Sequence, residues 1–285
     1  MIRLRELPVL RQLRSISRLL QDRQHMERNR MFALIDQETR SILADERYAD
    51  PRKLNRHEHS VFSQGGEDGI IAEILRRIGT RSQTFVELGV GDGLENNTAY
   101  LLSRGWSGLW IEGDATSVSR ARVNFRREID RGKLRIRQAF LDAESVAGLL
   151  REEGIPEDFD LLSIDVDRNT YYVWDALREF RPRVVVVEYN ATFPPADEWV
   201  VDYDATRLWN GTMYFGASLK SYEKLGADLG YRLVGCNLAG ANAFFVRDDL
   251  VGDQFLPPFT AEQHYEPARY WLTRFRSAHP RCMHD

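Results

Sequence analysis

Residues 84–93 constrain this chain more than any other stretch. Thr84-Phe-Val-Glu-Leu88 is an apolar run with strand character that closes on an acid, and Gly89, Gly91 and Gly93 follow at alternate positions. Glycines so placed let a backbone turn sharply and approach a ligand that a Cβ would repel. A second apolar run, Leu109-Trp-Ile-Glu112, ends in another carboxylate one strand–helix unit later. Together the two runs read as a nucleotide-type cofactor site at the edge of an α/β sheet.

The rest of the pattern agrees. Strands are expected at 84–88, 108–112, 134–139, 161–165, 184–188, 231–236 and 243–246. Helices are expected at 67–78, 97–104, 117–130, 145–153, 171–180 and 214–229. Alternation of this kind gives a mostly parallel sheet covered on both faces. The last two strands are joined only by Leu238-Ala-Gly-Ala-Asn242, so they should pair antiparallel. The expectation is an α/β, Rossmann-like, seven-stranded sheet with an antiparallel last strand, preceded by N-terminal helices.

Residues 1–60 differ from the remainder. They carry 13 Arg and Lys against 9 Asp and Glu, in a chain whose net charge is -4. Leu10, Leu13, Ile16 and Leu20 recur at helical spacing, and Met31, Leu34, Ile35, Ile42 and Leu43 repeat the pattern as a second helix that Pro51 should end. This segment reads as a helical extension packed on the main domain. A dimerisation arm and a peripheral membrane contact through Arg11, Arg14 and Arg18 are the other readings. Three parts are expected: the extension at 1–60, a main domain at 61–250, and a C-terminal extension or lid at 251–285, rich in Pro and aromatics.

The acidic balance gives no reason to expect nucleic acid as a partner. No apolar run approaches the ~20 residues that span a bilayer. Cys236 and Cys282 are the only cysteines, too few for a disulfide framework, and a cytoplasmic location is the simplest expectation, with the inner-membrane surface as an alternative.

The spacing G-x-G-x-G after Glu87 is not the G-x-G-x-x-G of a pyrophosphate turn. It resembles the S-adenosylmethionine site of class I methyltransferases. That ligand asks for a carboxylate facing the ribose diol, an apolar slot for adenine, and polar groups for a zwitterionic methionine end. Four acids fall at four consecutive strand ends. Glu87, with Gly89 and Gly91, forms the first loop, Glu112 is placed to accept the ribose hydroxyls, Asp142 follows Phe140-Leu141 as an adenine-edge contact, and Asp165 ends the fourth strand. Gln64 and Glu67, from Ser63-Gln-Gly-Gly-Glu-Asp-Gly69, are expected at the methionine end, as is Asn97; a helix N-cap is the competing reading for that loop.

The fourth and fifth strand ends hold Asp165, Asp167, Glu188 and Asn190. Oxygen-only ligands suit Mg²⁺ or Mn²⁺, and a metal there would lower the pKa of an acceptor hydroxyl. The alternative is that these acids bind cofactor and cap helices with no metal. Asp165 and Glu188 are the expected catalytic carboxylates. Without a metal a general base is needed, with His57, His59 and His264 as candidates, the last on the C-terminal segment. Tyr171 could line the acceptor pocket, and Trp199, Tyr203 and Trp209 suit sugar rings or loop packing equally.

Ser63-Gln-Gly-Gly-Glu-Asp-Gly69, Phe85-Val-Glu-Leu-Gly-Val-Gly-Asp-Gly93, Gly105-Trp-Ser-Gly-Leu-Trp-Ile-Glu-Gly113, Ser163-Ile-Asp-Val-Asp167 and Val187-Glu-Tyr-Asn190 occur in order. Over residues 60–250 the chain resembles FkbM-like class I methyltransferases of a bacterial branch associated with surface polysaccharides. The resemblance implies O-methylation of a sugar or other hydroxylated small molecule, with divalent metal dependence in some relatives. One departure stands out. Where the family pattern has Asp-x-Asp-Gly-Asn-Asp-Tyr, this chain has Arg168 for the glycine and Thr170 for a carboxylate. Arg168 is therefore expected either to pair with Asp167 in competition with a cation or to bind an anionic acceptor. Other readings are a metal-dependent glycosyltransferase using Asp165-Val-Asp167 as its D-x-D, and a catalytically silent S-adenosylmethionine-binding protein. An NAD oxidoreductase is weaker, because the glycine spacing is wrong for it.

Overall fold

The computed structural model describes residues 8–273 and 281–284. Two compact units divide after Glu46. The first holds α1 (Pro8–Leu43), one helix of 36 residues where two were expected. No glycine or internal proline interrupts this stretch, so nothing breaks the ladder, and it spans about 54 Å. Ile16, Leu19, Leu20, Met26, Met31 and Leu34 are exposed along it. The side chains of Leu10, Leu13, Arg11 and Arg14 lie outside the described residues. The helix stops well before Pro51.

The second unit starts earlier than residue 61. Tyr48 and Leu54 are buried, Asn55 donates to the Cys236 carbonyl at 2.8 Å, and Tyr48 donates to Glu266 at 2.7 Å. The segment after 250 is equally built in: Glu266 is buried and the Arg269 guanidinium donates to the Leu238 carbonyl at 3.0 Å.

Seven strands form one sheet: β1 (Thr84–Leu88), β2 (Ser107–Glu112), β3 (Leu134–Gln138), β4 (Leu161–Ile164), β5 (Val184–Glu188), β6 (Tyr231–Cys236) and β7 (Asn242–Arg247), ordered β3-β2-β1-β4-β5-β7-β6. The first five pair in parallel; β7 is antiparallel to both neighbours. This is the Rossmann-like, mostly parallel seven-stranded sheet with an antiparallel last strand that the sequence pattern predicts. Its period is visible in β5. Val184 and Val186 pack into one core, Val185 and Val187 into the other, as a central strand buried on both faces requires. The first core is closed by Ile70, Ile71 and Ile74 of α2 (Glu67–Ile78) and by Leu101 and Leu102 of α3 (Ala99–Ser103). The second is closed by Val146 and Leu150 of α6 (Val146–Glu152), Val173 and Trp174 of α7 (Thr170–Asp175), and Tyr222 and Leu225 of α8 (Leu219–Asp228).

Helix boundaries depart from expectation where local chemistry intervenes. The helix expected at 117–130 is two, α4 (Ala115–Asn124) and α5 (Arg126–Asp130), broken at the buried Phe125. Helix α8 begins at Leu219 rather than 214, because Ser218 caps it by accepting from the Ser221 amide and Ala217 bridges to Val200. The chain runs outward from β1 to β2 and β3, then returns to β4. The crevice at the carboxyl ends of β1 and β4 is thus the topological switch point, where open α/β sheets bind ligands.

Candidate functional site

The glycine turn sits at that switch point. Gly89 has φ +79°, and a Cβ there would stand 1.8 Å from the Asp165 carbonyl oxygen. Only glycine lets the turn lie against the end of β4. Gly91 also has positive φ, +55°, and it borders open cavity.

The acids at the first two strand ends hold this turn in place. Glu112 accepts from the Val90 and Gly91 amides at 3.0 and 2.8 Å through one oxygen, and from Asp114 N at 2.8 Å through the other. Glu87 is buried and accepts from Asn97 N at 2.8 Å, Thr98 N at 3.1 Å and the Thr98 hydroxyl. Trp110 Nε1 donates to that hydroxyl at 2.7 Å. Burial outweighs these donors and pushes Glu87 up to about 7. Its bonds satisfy amides just ahead of α3, at the end where a helix leaves its own N–H groups without partners.

Two chambers meet at the turn. One, of about 480 Å³, is lined by Gln64, Glu67, Glu87, Asn97 and Arg281 among others. The other, of about 610 Å³, includes Glu112, Phe140, Leu141, Asp167 and Trp209. Gly89, Gly91 and Asp165 border both. Gln64, Glu67, Glu87, Gly89, Gly91, Asn97, Glu112 and Asp165 are thus brought to one cleft. Within it Asn97 donates to Ser163 Oγ at 3.0 Å, and Glu67 is buried, accepting from Gly65 N at 2.6 Å and from the Asn242 amide at 3.1 Å.

At the ends of β4 and β5, Asp165, Asp167 and Glu188 each offer a carboxylate oxygen within 4.8 Å of the other two. Asp165 stands open to the cavity, yet deep placement and the Asp167 charge push it up to about 7. Asp167 and Glu188 are raised too, by burial first and then by neighbouring carboxylates. Three acids crowded in this way retain protons that an isolated carboxylate would lose. The donor set fits a hard divalent cation, whose charge would relieve the crowding.

Arg168 does not join this cluster. Asp167 has φ +52°, which turns the chain so that Arg168 donates instead to the Asp202 carbonyl at 2.8 Å and lies 5.1 Å from the Tyr214 ring centre. Thr170 accepts from Val166 N at 3.1 Å and so braces the same turn.

Four expectations need correction. Asp142 accepts from the Ser145 amide and hydroxyl at 2.7 and 2.6 Å. These bonds brace the turn that leads into α6, and Phe140 and Leu141 line the cavity. Asn190 spends its amide donors on the Met213 and Phe215 carbonyls and its oxygen on Thr192 N, holding the loop after β5 rather than completing a ligand set. His264, at the end of α9 (Ala261–His264), is 1% exposed and bonds the Leu256 carbonyl. Burial lowers it to about 3, so it is neutral and shut away from the cleft. Tyr171 packs on Tyr172 and Tyr222. Of the loop aromatics Trp199 stacks on Phe193 and Tyr203 bonds Glu144, which leaves Trp209 at the cavity.

Sequence reasoning missed Arg281, Asn242 and the acid pair Asp92 and Glu95, which also line the first chamber. The polar residues that follow the glycines were a signal for the last two; Arg281 gave none.

No family model matches this chain, and no curated protein does. Solved structures similar to it include an O-methyltransferase from Bacillus cereus in complex with S-adenosylhomocysteine, at 17% identity over 75% of this chain and 88% of that one, with TM-score 0.42. A putative caffeoyl-CoA O-methyltransferase from Staphylococcus aureus shares 15% identity over 62% and 81%, with TM-score 0.42. Magnesium protoporphyrin IX methyltransferase from Synechocystis, with bound S-adenosylmethionine, shares 10% over 64% and 77%, with TM-score 0.41.

Proposed function

We propose that this protein is an S-adenosylmethionine-dependent O-methyltransferase acting on a hydroxyl of a sugar or other glycan-related small molecule, aided by a divalent metal. One observation carries the reading. A glycine turn held by Glu112 opens on two chambers, and a cluster of three carboxylates stands beside the point where the chambers meet. The donor would supply a methyl on a sulfonium. Glu112 would receive its ribose, Phe140 and Leu141 its adenine, and Gln64, Glu67 and Asn97 its amino-acid end.

Methyl transfer is an in-line displacement, so the protein's main task is to hold the acceptor oxygen about 3 Å from the methyl and exclude water. Without a cation, Asp165, pushed up to about 7, is partly ionised at neutral pH and basic enough to take the hydroxyl proton, with Glu188, raised as well, beside it. A divalent cation on Asp165, Asp167 and Glu188 would favour the acceptor alkoxide. Trp209 supplies an aromatic face fit for a sugar ring. Arg168, turned away, leaves the acid cluster free for a cation, which counts against the silent reading.

Among the described residues no helix is long and apolar enough to cross a membrane. Work in the cytoplasm and pairing of two copies through α1 belong to the same proposal, and the exposed apolar side chains of α1 support the pairing. Calorimetry with S-adenosylmethionine, UDP-sugars and Mg²⁺ tests the whole. Binding of S-adenosylmethionine but not of UDP-sugars is expected. The reverse result refutes the proposal in favour of a glycosyltransferase.

A further inference from the structure

We infer that Arg281, from the C-terminal segment, binds the carboxylate of an amino-acid-bearing ligand in the first chamber. The inference rests on the reading above, under which that ligand is S-adenosylmethionine.

The chamber's charges point to it. Glu67, Glu87, Asp92, Glu95 and Asp165 line it, and Arg281 is the basic residue among the lining. A ligand's ammonium has acids on every side. Its carboxylate would meet like charge at each of those acids and opposite charge at Arg281. The guanidinium is also prepared for such a guest. The side chain is only 10% exposed, and Nη2 donates to the Ser63 carbonyl at 3.0 Å. Nη1 donates to the Leu94 carbonyl at 3.4 Å and pairs with Glu95 at 3.0 Å. Arg281 therefore joins the loop before α2 to the loop after the glycine turn. Nε is buried with no partner, a costly condition for a charged donor. Glu95 is 63% exposed, so its pairing is a weak, water-facing one, and a carboxylate guest can take its place on the planar fork.

The test uses two probes that differ only in the amino-acid end: S-adenosylhomocysteine, which has it, and methylthioadenosine, which lacks it. Calorimetry is run on the full chain and on two variants. Arg281→Ala is expected to weaken S-adenosylhomocysteine about 10- to 100-fold while leaving methylthioadenosine unchanged. Arg281→Lys, which keeps the charge without the fork, should recover part of that loss. Unchanged S-adenosylhomocysteine affinity in Arg281→Ala overturns the inference. So does equal loss of both probes in Arg281→Lys. If neither probe binds the unaltered chain, the methyltransferase reading itself fails and takes this inference with it.

Discussion

Replacing Asp165 by Asn should make the protein more stable near neutral pH and unable to hold a divalent cation. Its carboxylate lies within 4.8 Å of oxygens on Asp167 and Glu188. Deep placement first, then the Asp167 charge, raise it from 3.8 to about 7. That rise corresponds to roughly 4 kcal/mol. The side chain is open to water in the cavity, and screening reduces that to about 1–2 kcal/mol. The sign follows from linkage. A group raised in the folded state keeps a proton that the unfolded chain gives up, so stability falls as pH climbs from about 4 to about 7. Asn carries no charge and keeps an acceptor oxygen for the Asp167 amide. The variant's advantage is thus close to nothing at about pH 4 and full at about pH 8, where it amounts to some 2–8 °C in Tm. Added Mg²⁺ should raise the Tm of the unaltered protein at the higher pH by mass action, and leave Asp165→Asn where it was. Paired melting curves across that pH range check both. A variant that melts with or below the parent at the higher pH would refute the picture of three carboxylates in mutual repulsion.

Three further perturbations probe the rest of the cleft. Glu112→Ala removes the acceptor of the Val90, Gly91 and Asp114 amides, and should weaken S-adenosylmethionine about 10- to 100-fold by calorimetry; an unchanged affinity removes the ribose assignment. Gly89→Ala drives a Cβ toward the Asp165 carbonyl at positive φ, and should cost about 2–4 kcal/mol in urea unfolding; a neutral result would mean that the turn and β4 are not in contact. Arg168→Gly should leave Mg²⁺ affinity as it is, because the guanidinium serves Asp202 and Tyr214; a tighter Mg²⁺ isotherm would return Arg168 to the acid cluster.

The sheet was legible because its information is local. Short apolar runs between polar or glycine-bearing segments mark the strands, and all seven lie within a residue or two of expectation. The glycine turn and Glu112 were legible for the same reason: a positive φ and a carboxylate at a strand end leave few other side chains suitable. Asp142 and Asn190 misled because the same polar groups that bind ligands also satisfy backbone amides and carbonyls, and composition does not distinguish the two uses. Asp142 has Ser145 three residues away to bond, and that local option wins. Arg281 was invisible for the opposite reason. Its partner Ser63 lies 218 positions away, and no short pattern encodes a contact of that span.

Arg168 shows how a neighbour in sequence can mislead in space. An arginine beside an aspartate invites an ion pair. Here Asp167 adopts a left-handed φ of +52°, a conformation that Asp tolerates better than most residues. The turn sends one side chain to the acid cluster and the other to the loop at Asp202. A glycine at position 168 would leave that loop without its guanidinium anchor and without the Tyr214 ring contact. Arg168 therefore acts on the wall of the cleft, not on the charge of its centre.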